Sequence, residues 1–406
     1  NELDYALATY ERGRKLLKND ATNFFYETAS IRAAKGDVAG MVSDYMDLLQ
    51  SNPAYLQAVQ NGLARLIDFT ATDDRSDILR TELLRRVQRD PDNTLFQEML
   101  IWVYIQRKDL ESAFVQSKAM DKRFHEGGQR LMALGDMAVN NKDWDIASKC
   151  YGYVVSEGTD APWYTAARMG LATAMDARVR DQADPPKDQL EELHRQYTTT
   201  LNELGRTPAN IKLLSGLAHL DAYYMDDRQA ADSLLESAIA MPGLDPHEQA
   251  QLKLDLGDIE VLGGDVWDAS LLYSQVALDF KQDVLGSDAR LRNAKISFYT
   301  GDFLWAKAQL DILKAGTSKL IANDAMELSL LISDNLGEDT VSVPLQLYAK
   351  AELLTFQHKY DSATVVLDTL SARFPMHTSG DRVLYERYHI AMARHQYPEA
   401  AGLLQK

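Results

Sequence analysis

A six-residue phrase recurs along the chain and constrains its fold more than any other feature. It runs polar, Asp, apolar, any, any, Ala. It stands at Lys108-Asp109-Leu110 to Ala113, Lys142-Asp143-Trp144 to Ala147, Gly264-Asp265-Val266 to Ala269 and Gly301-Asp302-Phe303 to Ala306. Near-copies lie at Lys359-Tyr360 to Ala363 and Gln396-Tyr397 to Ala400. Ala113 and Ala147 are 34 residues apart, and the pairs Ala269/Ala306 and Ala363/Ala400 are each 37 apart. A fixed period of this length is the mark of a helical-repeat solenoid, in which each unit buries its apolar face against its neighbours. That architecture removes the usual limit on core size, so a chain of 406 residues needs no division into several globular domains.

Each phrase reads as a tight turn between two helices. The Gly or Lys closes the first helix, where a left-handed residue is the common stop. The Asp caps the second helix, its carboxylate accepting from unpaired backbone N–H groups. The Ala, four residues on, falls where the helices cross and only a small side chain fits. A large apolar residue follows four positions later on the same helical face: Tyr151, Tyr273, Leu310, Leu367 and Leu404. The first helices carry a small residue seven positions before the turn, at Gly135, Gly257, Ala294 and Ala351. Asn52-Pro53, Asp90-Pro91 and Phe374-Pro375 end second helices.

The pattern is clearest over residues 95–122, 128–155, 246–280 and 287–315, and recognisable over 22–53, 344–375 and 381–406. It weakens at 60–91, where Leu79 replaces the alanine, and at 163–204, split by Asp184-Pro185-Pro186. The unit at 208–240 restores it with Ala230 and Leu234. The gap from Ala306 to Ala363 exceeds one period by about twenty residues, which fits one extra helix over 319–335 and a loop at 337–344, a place for a binding or bending feature. Residues 1–183 and 184–406 are expected to form an N-terminal and a C-terminal array, continuous with each other. The chain starts and stops inside repeats, so it is expected to be part of a longer repeat protein or to have its ends covered by another chain.

The net charge of −17 makes nucleic acid and anionic lipid poor partners. No apolar run is long enough to span a membrane, and no signal peptide is visible. Cys150 is alone and reads as a small buried residue. His247-Glu248-Gln249-Ala250-Gln251 and His125-Glu126-Gly127-Gly128-Gln129 each lack the second histidine of a zinc-binding helix. The glycine pairs at 127–128 and 263–264 terminate helices and belong to no phosphate-binding pattern. No nucleophile elbow occurs. Arg75, Arg80, Arg85, Arg86 and Arg89, with Lys118, Lys122 and Arg123, form either a basic patch or helix faces paired with nearby acids. Trp144, Trp267, Trp305, Tyr151 and Tyr273 read as core. No cofactor, metal or catalytic site is expected.

Small residues at both crossing points, an aromatic or Leu between them and a closing proline resemble the tetratricopeptide repeat, and from Val284 through Ala363 the chain looks like long divergent members from Bacteroidetes-type bacteria. The resemblance implies an all-α, right-handed superhelical solenoid of antiparallel helix pairs, about ten to eleven units, with first helices lining a concave groove. It further implies a non-enzymatic scaffold or adaptor that binds a peptide or protein. The alternative is an interaction module of a larger protein whose catalytic or anchoring domain lies outside this segment. In this register the groove-facing positions are Trp102, Asp136, Asn140, His219, Tyr223, Asp258 and Lys295. His219 is either groove-facing or a satisfied, half-buried histidine. The family's best-known site clamps a terminal carboxylate with Lys, Arg and Asn, whereas Asp136 and Asp258 favour a basic or mixed-charge peptide. The narrower resemblance suggests a periplasmic or outer-membrane-associated location; a cytoplasmic one fits the residues equally.

Overall fold

The computed structural model describes residues 2–17, 23–70, 74–314, 318–336, 342–375 and 380–405. Among them every regular element is helical, and the chain is all-α. It divides into two compact units, Asn1–Ala174 and Met175–Lys406. In the first, Glu2–Leu16 precedes the pair Phe25–Ala34/Val38–Ser51, then the helices Leu56–Leu66 and Asp74–Arg89, and then the pairs Thr94–Gln106/Leu110–Phe124 and Gln129–Asn140/Trp144–Ser156. In the second, Lys187–Leu204 is followed by Ile211–Tyr223/Arg228–Ile239, Pro246–Gly263/Val266–Asp279 and Val284–Tyr299/Phe303–Leu313. Then come the single helix Lys319–Leu336 and the pairs Val343–Phe356/Tyr360–Arg373 and Gly380–Ala393/Tyr397–Leu403. The extra helix stands where the spacing placed it; of the loop expected beyond it, residues 337–341 lie outside the described residues.

The turns follow the chemistry of the phrase. Lys108, Lys142, Gly264 and Gly301 take left-handed backbone, with φ of 58°, 59°, 101° and 86°. The next residue donates its N–H back to the carbonyl five positions earlier in a Schellman closure: Asp109 to Tyr104 at 2.9 Å, Asp143 to Ala138 at 2.8 Å, Asp265 to Glu260 at 2.9 Å and Asp302 to Ser297 at 2.9 Å. The same aspartates then turn to the second helix. Asp109 accepts from the Ser112 N–H, Asp143 from Ile146 and Asp302 from Trp305. Asp265 departs from the rule and binds the Arg228 guanidinium at 2.5 Å instead of a backbone N–H.

The crossing points are filled by matched sizes. Ala113, Ala147, Ala269, Ala306 and Ala363 are fully buried. A Cβ added at Gly135 would stand 2.7 Å from Tyr151 Cε1, and one at Gly257 would stand 2.4 Å from Tyr273 Cε1. Where the second helix carries Leu310 or Leu367, the first helix carries Ala294 or Ala351, and all four are buried. A ring thus requires glycine at this position, and a leucine accommodates alanine.

Five expectations need correction or are settled here. Trp267 is 72% and Trp305 59% exposed, so neither belongs to the core, whereas Tyr151 and Tyr273 are buried and Trp144 half-buried. Trp267 precedes the buried Ala269 by two positions, which at about 100° per residue carries it to the opposite face. The buried alanine of the 208–240 unit is Ala231, four residues after the capping Asp227, and not Ala230. Leu404 is exposed, since no described helix packs over it. Three arginines of Asp74–Arg89 pair with acids: Arg86, itself buried, binds Glu82 and Asp47, each at 2.7 Å, Arg85 binds Glu82 at 2.6 Å and Arg80 binds Asp77 at 3.3 Å. Arg123 binds Asp92 at 2.6 Å. Cys150 is buried, and burial pushes its thiol up to about 12, far from a reactive thiolate.

Two predictions test this account. Gly257→Ala gains about 1 kcal/mol of helix propensity but forces the Tyr273 ring aside at about 1–3 kcal/mol. The urea midpoint is therefore expected to fall, and adding Tyr273→Leu to recreate the Ala/Leu match should recover part of the loss. At the turn, Asp143→Ala is expected to cost about 1 kcal/mol through the lost cap. Lys142→Gly should raise the thermal midpoint by removing the Cβ from a left-handed position.

Candidate functional site

One residue after the small crossing residue, six before the left-handed turn residue, lies a position that recurs along the first helices. It is occupied by Asp136, Asp258, Lys295 and Glu352, and in the last pair by His389, which follows Tyr388 instead of a small residue. Asp136 is exposed, and its carboxylate accepts from the Tyr151 hydroxyl at 2.7 Å. Asp258 accepts from the Tyr273 hydroxyl at 2.7 Å and is also gripped by the Arg292 guanidinium. The tyrosine that passes over each glycine therefore ends on the aspartate beside that glycine. These aspartates serve the packing as well as the surface, and Arg292 offsets the Asp258 charge. Burial pushes the Asp258 carboxyl upward against the pull of Arg292 and Tyr273.

In the first unit, Asn140 is exposed one turn beyond Asp136. Trp102 is half-buried, its ring edge-on to Phe69 at 5.3 Å. The structure does not bring it to a shared recess with Asp136.

In the second unit, His219, Tyr223 and Asp258 come together around a recess of about 140 Å³, with Arg180, Ser215 and Asp255. His219 stacks on Tyr223 at 4.4 Å, and Tyr223 meets His358 at 5.3 Å. Gln357 Nε2 donates to the Val261 carbonyl at 2.9 Å and so ties the ends of two first helices together. Ser215 donates to Asp255 at 2.8 Å, while His219 Nδ1 is buried with no partner. The order serine to histidine to acid needed for nucleophilic catalysis is not made. Burial, reinforced by the Arg180 and His358 charges, pushes His219 down to about 3.

Lys295 is set apart from these residues. It lines a larger cavity, of about 470 Å³, with Tyr299, Tyr348, Glu352, Glu386 and His389. Glu352 stands at the same offset after Ala351 as Lys295 does after Ala294, so the repeat register already carried the signal that sequence reasoning missed. Glu386 offered no such signal, because it lies off that register. Among the described residues, no three His, Cys, Asp or Glu side chains come together in a way that could hold a metal ion, and no helix is long and apolar enough to cross a membrane.

No protein-family model matches the chain, and no curated protein matches it. Solved structures do. A tetratricopeptide repeat protein from Parabacteroides merdae is similar at 14% identity and a TM-score of 0.39, over 69% of this chain and 91% of that one. Yeast Tom70 is similar at 14% identity and a TM-score of 0.36, over 100% and 88%. A structure of Naa15/Naa10 bound to HypK-THB is similar at 14% identity and a TM-score of 0.30, over 99% and 67%. The turns and matched crossing points of this chain define a helical-repeat protein built from tetratricopeptide-like pairs.

The histidine yields a further prediction. A histidine whose pKa falls from 6.5 to about 3 on folding binds fewer protons in the folded state between those values. Stability is then lost as pH drops from 6.5 toward 3 and is unaffected above 6.5. His219→Phe keeps the stack on Tyr223 and is expected to flatten that part of the melting-temperature profile.

Proposed function

We propose that the chain is a non-enzymatic scaffold that holds another protein or peptide against its first helices. One observation carries the reading. The first helices present recesses lined by polar and aromatic side chains, several of them held by stacking or ion pairing, around His219, Tyr223 and Asp258 and around Lys295, with Asp136 and Asn140 exposed in the first unit. Preorganised groups of this kind suit recognition, since little side-chain entropy is left to lose on binding. Acidic groups predominate, which favours a basic or mixed-charge partner.

A second reading has its own support. Trp267, Leu271 and Leu278 form an exposed stripe on Val266–Asp279, and Trp305 and Ile312 another on Phe303–Leu313. Large apolar groups left together in water mark surfaces that a partner covers. A scaffold of this second kind would use its second helices.

Affinity capture with crosslinking from the source cells, read by mass spectrometry, separates the two. Tyr223→Ala with Asn140→Ala is expected to lose a reproducible partner that Trp267→Ser with Trp305→Ser retains. The opposite pattern moves binding to the second helices. No partner with the unaltered chain refutes the scaffold reading.

A further inference from the structure

The single helix Lys319–Leu336 interrupts the pairing of the array and lines one side of a cavity. Val284–Tyr299 supplies Lys295 and Tyr299, and the inserted helix supplies Asp324 and Glu327. Val343–Phe356 supplies Tyr348, Glu352 and Phe356, and Gly380–Ala393 supplies Arg382, Tyr385, Glu386 and His389. The volume, about 470 Å³, is in the range of sites that enclose a small ligand or an inserted side chain, roughly 300–1,000 Å³.

The charges inside do not balance. At the mouth, Arg382 is committed to Glu327. Deeper, the single ammonium of Lys295 faces both Glu352 and Glu386. Glu352 accepts only a long 3.4 Å bond from the Tyr299 hydroxyl. Glu386 is 5% exposed, and its Oε1 is buried with no hydrogen-bond partner. A buried carboxylate oxygen without a donor is costly, and a ligand bringing N–H groups and positive charge would relieve it. Burial pushes Glu352 up to about 7 and shifts Glu386 in the same direction, against the pull of Lys295 on both, of His389 on Glu352 and of the Thr355 hydroxyl on Glu386.

We infer that this cavity receives a guanidinium group, presented as an arginine side chain of the bound polypeptide. The inference rests on the scaffold reading and names the chemistry of its partner. Lys295 already provides a point charge and leaves Glu386 Oε1 unpaired. A planar group with five donors can address two carboxylates at once, and it stacks on aromatic faces such as those of Tyr299, Tyr348 and Phe356.

The test is calorimetric titration of the full chain with acetyl-Gly-Arg-Gly-amide, with the same peptide carrying citrulline, and with free agmatine. Citrulline keeps the shape and loses the charge. The arginine peptide is expected to bind at least tenfold more tightly than the citrulline peptide. Glu386→Gln should weaken it at least tenfold, and Lys295→Met should strengthen it several-fold by removing a competing cation. Lys295→Met keeps the test decisive even if the buried Glu386→Gln variant folds poorly. Equal binding of arginine and citrulline peptides overturns the inference, and so does weaker binding by Lys295→Met, which would mark an anion site. Agmatine binding at least tenfold tighter than the peptide overturns the polypeptide source. A partner captured from cells in the absence of arginine-peptide binding refutes this inference and leaves the scaffold reading standing. Arginine-peptide binding with no partner captured refutes the scaffold reading and the peptide source with it.

Discussion

The contact between a tyrosine ring and a glycine on the facing helix sets the geometry on which much of the rest depends. At Gly135 and Gly257 the backbone comes so close to Tyr151 and Tyr273 that a Cβ has no room. The ring lies across the first helix, and its hydroxyl emerges beside the next residue, Asp136 or Asp258. One contact thereby sets helix separation, orients a carboxylate on the opposite face and satisfies a half-buried hydroxyl. The alanine–leucine pairs at 294/310 and 351/367 fill the same space without a polar end, and there the following residues, Lys295 and Glu352, are left to the cavity.

The turns and the order of helices were legible because they rest on local chemistry. A left-handed residue followed by a capping aspartate needs only neighbours in sequence, and the phrase recurs often enough to set the period. The extra helix could be read from spacing alone. The tryptophans were misplaced for a reason equally local. Trp267 and Trp305 sit inside the phrase, yet their offsets from Ala269 and Ala306 turn them to solvent. Counting by helical angle would have separated them from Tyr273.

The sites were less legible, since they depend on helices far apart in the chain. Lys295 and Glu386 line one cavity although 91 positions separate them. Glu386 lies off the repeating groove position, so periodicity could not nominate it, and its orphaned oxygen is a property of four packed helices. His219 was open to two readings. The recess holds it against Tyr223 with one nitrogen unsatisfied, which is neither a free groove residue nor a fully bonded core one.

The bond from Gln357 to the Val261 carbonyl joins positions 96 residues apart. A linear array tolerates gain or loss of a unit, because each pair touches only those beside it. Here a stitch spans the segment between the two positions, so its register is counted at both ends. Deleting one helix pair between Val261 and Gln357 would not merely shorten this stretch; it would pull the donor away from its acceptor. A repeat gained or lost in this part of the chain therefore costs that bond, about 1 kcal/mol, on top of the contacts between neighbours.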